Sequence, residues 1–435
     1  MAEGSPILSP QQISAMFQDS LTWDRETMAE YQRKQLSQLL QHARATVPFY
    51  KNRLDLLFRN DGSIDWSRWR DLPILTRSDL RDSAERLKTT APIERHGSWG
   101  KKSSSGSTGV PITVAFTQFF IEIAGYGWDR FHKLNGFHAN NGSNEFVMAL
   151  PASSPPAAEC FARTGGPGIR PALLILRTLP VQRKLQHLCR SGFHTLMDSA
   201  NHAEILAREN LRQGKPLSLT GIECIGTGIT EEQQSLFAES FGTRAISPYS
   251  SSEAALMAFE CPHGHDHLHV CSETVLLEIL DDKGREVPAG ESGRAVVTPF
   301  FNSAQPLIRY EQGDILVRGK ACPGGITLPV IQHIVGRSDA IFKFPDHEVS
   351  VFGLDIAFVR NQLQADAFQI AQTAAQALEL RYLSANVAGS DATQSVTAEL
   401  RKFFRPEISI AFRRVADIPF NAGGKQQRYI REFEL

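Results

Sequence analysis

Between residues 26 and 58, apolar Leu36, Leu39, Leu40 and Ala43 recur at helical spacing among polar neighbours, and Pro48 closes the pattern. The stretch predicts a helix. LPILTRSDLRDSAER (72–86) predicts a turn and then a helix, with Thr76 or Ser78 as the oxygen that caps it. Residues 182–212 and 230–241 also predict helices. Between them and the first helices, 151–171 carries five Pro and three Gly and predicts an exposed loop. After about residue 270 the pattern changes. TVLLEIL (274–280) and RAVVTPF (294–300), flanking the turn DDKG (281–284), predict strands. β-rich sequence continues to about 335, and from about 340 a smaller unit mixes strands such as ISIAF (408–412) with helix near 395–404.

These elements predict an α/β protein: a large multi-sheet N-terminal domain with a β-rich subdomain at about 270–335, then a small α+β C-terminal domain. A chain of 435 residues accommodates that layout with a sizeable core. With 46 Lys+Arg against 47 Asp+Glu, the net charge of −1 argues against nucleic acid or an anionic membrane as the main partner. No apolar run approaches the ~18 residues of a membrane span. The N-terminus MAEGSPILSPQQ lacks the basic and apolar regions of a secretory signal. Six scattered cysteines form no disulfide framework, so a reducing cytoplasm is the expected compartment.

Candidate chemistry begins at SSSGSTGVP (103–111). Such a loop can turn sharply and aim backbone N–H groups and hydroxyls at phosphate oxygens. It has neither the Gly-Lys-Ser/Thr of a P-loop nor the Gly-x-Ser-x-Gly of a nucleophile elbow. It resembles the phosphate loop of the adenylate-forming enzymes, most closely the phenylacetate-CoA ligase branch and its capsular-polysaccharide-synthesis relatives. VPFY (47–50) and LPILTRSDLRD (72–82) match that branch too. The resemblance implies that Ser104, Ser105, Gly106, Ser107, Thr108 and Gly109 hold ATP phosphates. Val110 stands where the family usually has Lys, so one positive charge near the triphosphate is missing.

Further motifs follow in family order. TGITEEQQ (227–234) is similar to the segment that walls adenine, placing Thr227 and Gly228 there, with Ile229 replacing the family acid. YSSSE (249–253) resembles Y-G-x-S/T-E. That implies Tyr249 against adenine, Ser252 near the α-phosphate and Glu253 at Mg²⁺, a hard cation suited to carboxylate and phosphate oxygens. Ser250 replaces the usual Gly. IRYEQGD (308–314) resembles R-Y-x-T-G-D, whose Asp, here Asp314, accepts from both ribose hydroxyls. GRSD (336–339) resembles the interdomain hinge, with Arg337 reaching the nucleotide and Asp339 as the pivot between domains spanning 1–338 and 339–435. DIPFNAGGKQQRYIRE (417–432) resembles the loop with the family's catalytic lysine, here Lys425, whose ammonium would bridge carboxylate and α-phosphate.

The resemblance spans about residues 30–432 and implies ATP- and Mg²⁺-dependent activation of a carboxylic acid, aryl or small acyl, to an acyl-adenylate. Coenzyme A is the implied acceptor, and a homodimer the implied assembly. Ala340 and FKFPDHEVS (342–350) depart from the branch where pantetheine would pass, which keeps a non-CoA acceptor (amine, hydroxyl or protein thiol) open. Val110, Ser250 and Ala340 also leave room for a non-catalytic nucleotide-binding relative. Phe116, Phe119, Phe120, Tyr126 and Trp128 could line an aryl pocket, although aromatic residues at that spacing usually belong to a core. Finally, CPHGHDHLH (261–269) and CPGG (322–325) could assemble a structural zinc site, with Cys261, Cys322 and His263 or His265 as ligands.

Overall fold

The structure is a computed structural model that describes residues 9–103, 112–136, 146–150, 160–163, 172–176, 179–191, 195–226, 228–337, 341–351, 354, 356–418 and 428–433. Two compact units are distinguished: residues 1–104, 111–312 and 316–334 form the first, and 105–110, 313–315 and 335–435 the second.

The first unit opens with helices α1 (Pro10–Asp19), α2 (Arg25–Thr46) and α3 (Arg77–Asp82). α2 is shorter than its apolar pattern predicts. It ends at Thr46, because Pro48 disfavours helical geometry at the residue before it, and the chain continues through turns to Leu57. α3 starts at Thr76, which caps Asp79 N–H while the Asp79 carboxylate accepts from Thr76 N–H. Next come strands β1 (Trp99–Ser103) and β2 (Thr113–Thr117), an antiparallel pair, and helix α4 (Gln118–Leu134).

A six-stranded sheet follows: β3 (Phe146–Leu150), β4 (Cys160–Arg163), β5 (Ala172–Leu176), β6 (Thr195–Asp198), β7 (Gly221–Cys224) and β8 (Ala245–Ile246), ordered β4-β5-β3-β6-β7-β8. It is parallel except for β4. Helices α5 (Val181–Ser191), α6 (Ala200–Arg212) and α7 (Glu231–Phe241) connect its strands. The predicted helix over 182–212 is therefore two helices separated by β6. α7 begins with the reciprocal cap of Thr230 and Gln233.

A seven-stranded sheet is built from β9 (Tyr249–Ser251), β10 (Ala255–Glu260), β11 (Leu268–Val270), β12 (Val275–Leu280), β13 (Ser292–Pro299), β14 (Tyr310–Arg318) and β15 (Val330–Arg337), in the order β12-β13-β14-β15-β11-β10-β9. Its buried side packs on α2 and on residues 47–87, through Leu39, Leu40, Tyr50, Leu75, Tyr249, Ala258, Val297 and Tyr310. Burying such side chains contributes roughly 1.5–3 kcal/mol each.

The second unit has a hairpin of β16 (Ile341–Lys343) and β17 (Glu348–Ser350), then α8 (Ile356–Leu363). A four-stranded sheet of β18 (Ala367–Ala374), β19 (Ala377–Leu383), β20 (Ser409–Arg414) and β21 (Tyr429–Arg431) completes it, with α9 (Ser390–Phe403). Val396 and Leu400 of α9 pack with Phe368, Ile370, Leu378 and Leu380 of this sheet. Among the described residues no helix is long and apolar enough to cross a membrane.

Candidate active site

The β1–β2 ladder runs from Trp99↔Thr117 to Ser103↔Thr113, so it brings the two ends of the glycine-rich loop together. Ser103 Oγ and Thr113 Oγ1 close it with a 2.8 Å hydrogen bond. β2 is held in turn by the segment before β14. Gln305 Oε1 accepts from Ala115 N–H at 2.8 Å, and Asn302 Nδ2 donates to Ala115 O at 2.9 Å. The same segment offers Ser303, whose carbonyl contacts His42 Nε2 at 3.0 Å and whose hydroxyl contacts His96 Nδ1 at 2.7 Å. Burial, with Arg95 and His42 nearby, pushes the His96 pKa down to about 4.

YSSSE forms β9 and a tight turn into β10, with Ala255↔Ser251 and Leu256↔Ser250 paired. The turn is a hairpin rather than the start of a helix. Ala255 takes a left-handed φ of 57° to close it, and Ala254 N–H donates to Ser251 Oγ at 3.0 Å. Glu253 at its tip is buried, as is Tyr249. Lys102 faces this turn. Its cross-strand partner Val114 lies in the same apolar cluster as Tyr249 and Ala254, and directly opposed residues project from one face. Lys102 keeps solvent contact, but desolvation still lowers its pKa, while the Glu253 carboxylate pulls it back up. The reading of the motifs alone passed over Lys102, because a Lys pair in an exposed strand resembles a solvated face.

IRYEQGD contains a second feature that its pattern does not announce. Arg309 is fully buried at a left-handed φ of 52°. Its guanidinium grips the Glu278 carboxylate through Nε at 3.1 Å and Nη2 at 3.2 Å. Nη1 donates to the carbonyls of Trp69, Arg70 and Leu72. The Leu75 backbone pairs with Arg309 O and Glu311 N on either side, and Tyr50 OH donates to Pro306 O while accepting from Ile308 N–H. VPFY, LPILT and IRY are thus three sides of one clasp. Arg309 serves as its pin. Asp314 follows Gly313, which has φ 74°, in the middle of β14.

The Cys/His element also forms a cluster, but with different histidines. Ligand-capable atoms of Cys261, His267, His269 and Cys322 all lie within 4.8 Å of one another. His263 and His265, expected to complete this set, are not in it. His263 is exposed and lies against Gly324, and His265 stacks on His267 at a ring separation of 5.6 Å. The reason is strand geometry. His267 and His269 are two residues apart leading into extended β11, so their side chains leave on one face.

No family model matches the chain. Over 347 residues it is 25% identical to the phenylacetate-coenzyme A ligase of Thermus thermophilus, covering 74% of each sequence. The crystal structure of 2-hydroxyisobutyryl-CoA ligase in the postadenylation state with R3-HIB-AMP superposes with a TM-score of 0.74. That match has 18% identity and covers 99% of this chain and 95% of that one. The anthranilate CoA ligase AuaEII in complex with anthranoyl-AMP gives 0.55 at 15% identity, covering 75% and 65%.

The chain is similar in sequence to a phenylacetate-coenzyme A ligase and shares the fold of structurally known acid–CoA ligases.

Of the residues that the motifs nominate, the structure locates Tyr249 on β9, Ser252 and Glu253 in the β9–β10 turn and Gly228 in the loop from β7 to α7. Asp314 is on β14, and the backbone of Arg337 ends β15. Gly228 therefore lies beyond the carboxyl end of a parallel strand, where open α/β sheets place ligand sites. Ser104, Ser105, Gly106, Ser107, Thr108, Gly109, Thr227, Asp339 and Lys425 lie outside the described residues. Among the aromatic candidates, Phe119 and Phe120 of α4 are buried in a core with Phe17, Phe300 and Phe301.

Proposed function

We propose that the chain activates a carboxylic acid with ATP and passes the acyl group to coenzyme A. In the first step a carboxylate oxygen attacks the α-phosphorus, the bond to the bridging oxygen of the β-phosphate breaks, and pyrophosphate leaves. In the second, the thiol sulfur of coenzyme A attacks the acyl carbon, its proton passes to solvent, and AMP departs. The reading is carried by the approach of the Lys102 side of the β1–β2 hairpin to the Glu253 turn, in a chain whose relatives and fold neighbours are acid–CoA ligases.

The residue roles are part of this proposal. Ser104 to Gly109 cradle the phosphates, Thr227, Gly228 and Tyr249 flank adenine, and Asp314 and Arg337 bind the ribose side. Lys425 bridges the two reacting anions. Mg²⁺, held by Glu253 beside Ser252, would neutralise charge on the phosphates. Lys102 takes over the positive charge lost at Val110. Residues 339–435 turn about Asp339 between the two steps, withdrawing Lys425 and admitting the acceptor. A cytoplasmic homodimer completes the reading.

The departure at FKFPDHEVS does not oppose coenzyme A by charge. Asp346 lies in the β16–β17 turn, where Arg405 Nη1 at 2.9 Å and His347 Nδ1 at 2.9 Å compensate it. The test is pyrophosphate exchange and acyl-adenylate formation across aryl, acyl and amino acids, with and without coenzyme A, for the wild type and Lys425→Ala. We expect exchange with at least one acid, coenzyme-dependent AMP release, and a loss of orders of magnitude in the variant with ATP binding retained. Adenylate that accumulates equally with and without coenzyme A would move the acceptor to an amine, hydroxyl or protein thiol. Absence of exchange across the panel would reduce the chain to a nucleotide-binding relative.

A further inference from the structure

We propose that Cys261, His267, His269 and Cys322 bind one structural zinc ion, a site that neither the adenylation reading nor the relatives' names assign. The sulfur spacing is the first argument. Two thiolates bound to zinc at about 2.3 Å with tetrahedral angles stand about 3.8 Å apart. Cys261 Sγ and Cys322 Sγ are 3.8 Å apart.

The turns that present them are matched. Cys261-Pro-His-Gly and Cys322-Pro-Gly-Gly each place a glycine three residues after the cysteine in left-handed conformation, Gly264 at φ 75° and Gly325 at φ 87°. Each turn then aims amides at its sulfur. The N–H groups of His263 and His265 point at Cys261, and Gly324 N–H donates to Cys322 Sγ at 3.3 Å.

The histidines supply a third, independent argument. His267 Nε2 and both ring nitrogens of His269 are buried without a hydrogen bond of normal geometry. An unsatisfied buried polar group costs about 1–3 kcal/mol. A metal bond to each imidazole removes that cost, and the Leu328 carbonyl lies near enough to His269 to hold a proton on its other nitrogen. Two sulfurs and two imidazoles in a tetrahedron select zinc, and four protein ligands leave no open position for catalysis. On binding, the two thiols release two protons to solvent and the metal takes their electron pairs. The ion would tie the end of β10, the strand β11 and the loop between β14 and β15 into one piece.

The proposal is independent of the adenylation reading, and its test reads metal and stability rather than turnover. Untagged full-length protein is purified without chelator, and zinc is measured by elemental analysis. About one zinc per chain is expected, retained in His263→Ala and His265→Ala and lost in His269→Ala and Cys322→Ser. Chelation should lower the thermal midpoint of the wild type by several degrees, and added zinc should restore it. If the ligand variants do not fold, cobalt exchanged into the wild type should show the absorption of a tetrahedral thiolate site. Substoichiometric zinc that added zinc does not raise overturns the proposal. So does a chain that keeps zinc without His269 but loses it without His263.

Discussion

Two buried polar clusters in the first unit differ in how they are completed. Around Arg309, the guanidinium meets a carboxylate and three backbone carbonyls, all supplied by the chain. Around Cys261, two thiols and two imidazoles converge, and the inward nitrogens have no protein partner. The first cluster carries its own counter-charge and closes on folding. The second presents four groups that the zinc ion proposed above would complete. A buried polar group that is left orphaned in one cluster, while the neighbouring cluster orphans none of its charged groups, marks a binding site better than burial alone.

The most severe break of this contrast is Arg309→Ala. It leaves the buried Glu278 carboxylate without its guanidinium and the Leu72 carbonyl without its donor, so a loss of about 3–5 kcal/mol is expected in denaturant unfolding. Pairing Arg309→Met with Glu278→Leu should recover much of that loss, since replacing both members with apolar groups removes the orphaned charge. A double variant no better than the single one would show that the backbone carbonyls Arg309 caps, not the ion pair, dominate the clasp. Added zinc should rescue neither.

A proton sharpens the same contrast at His96, which is buried against Phe119 and hydrogen-bonded to Ser303. Burial pushes its pKa down to about 4, below the ordinary imidazole value of about 6.5. The unfolded chain therefore takes up a proton first as pH falls. The stabilisation of neutral His96 is complete above 6.5 and is lost between 6.5 and about 4, by up to about 2–3 kcal/mol. His96→Gln keeps a hydrogen-bonding side chain but cannot titrate. The stability of the variant should fall less steeply across that window than that of the wild type, and parallel curves would remove His96 from the account.

The matched turns should respond more mildly. Gly264→Ala and Gly325→Ala meet no neighbouring atom within 4 Å, so each would cost only the left-handed backbone penalty, about 1–2 kcal/mol. Their zinc affinity should weaken with their stability. Gly284→Ala, also at positive φ (72°) but in the turn between β12 and β13, should lose similar stability and no zinc.

Residues with local mechanisms were the ones the sequence disclosed. The caps at Thr76 and Thr230 and the strands on either side of DDKG follow from neighbours a few positions away. The β6 strand was hidden inside a predicted helix, because a short parallel strand buried between neighbours has no clean alternation to display. Arg309 was legible as part of a motif but not as a pin, since its partners are largely carbonyls contributed by residues 69–72. The Cys/His cluster takes in His267 and His269 rather than His263 or His265 for a similar reason. Four histidines spaced two apart look equivalent; the start of β11 at Leu268, after the turn that carries His263 and His265, is what separates them.

Lys102 carries the contrast into the proposed nucleotide site with the smallest expected effect on the fold. Its ammonium is drawn by the Glu253 carboxylate of the β9–β10 turn. Because the side chain keeps solvent contact, removing its charge should leave the thermal midpoint almost unmoved. If it stands in for the positive charge missing at Val110, Lys102→Met should weaken ATP use about tenfold, a change of about 1.4 kcal/mol, seen mainly in the KM for ATP. Lys102→Arg should recover part of the loss, since it restores charge with different reach. Steady-state pyrophosphate release at varied ATP measures all three proteins. A Lys102→Met enzyme with unchanged KM would return the charge deficit to the loop itself and leave Lys102 as a surface residue of β1.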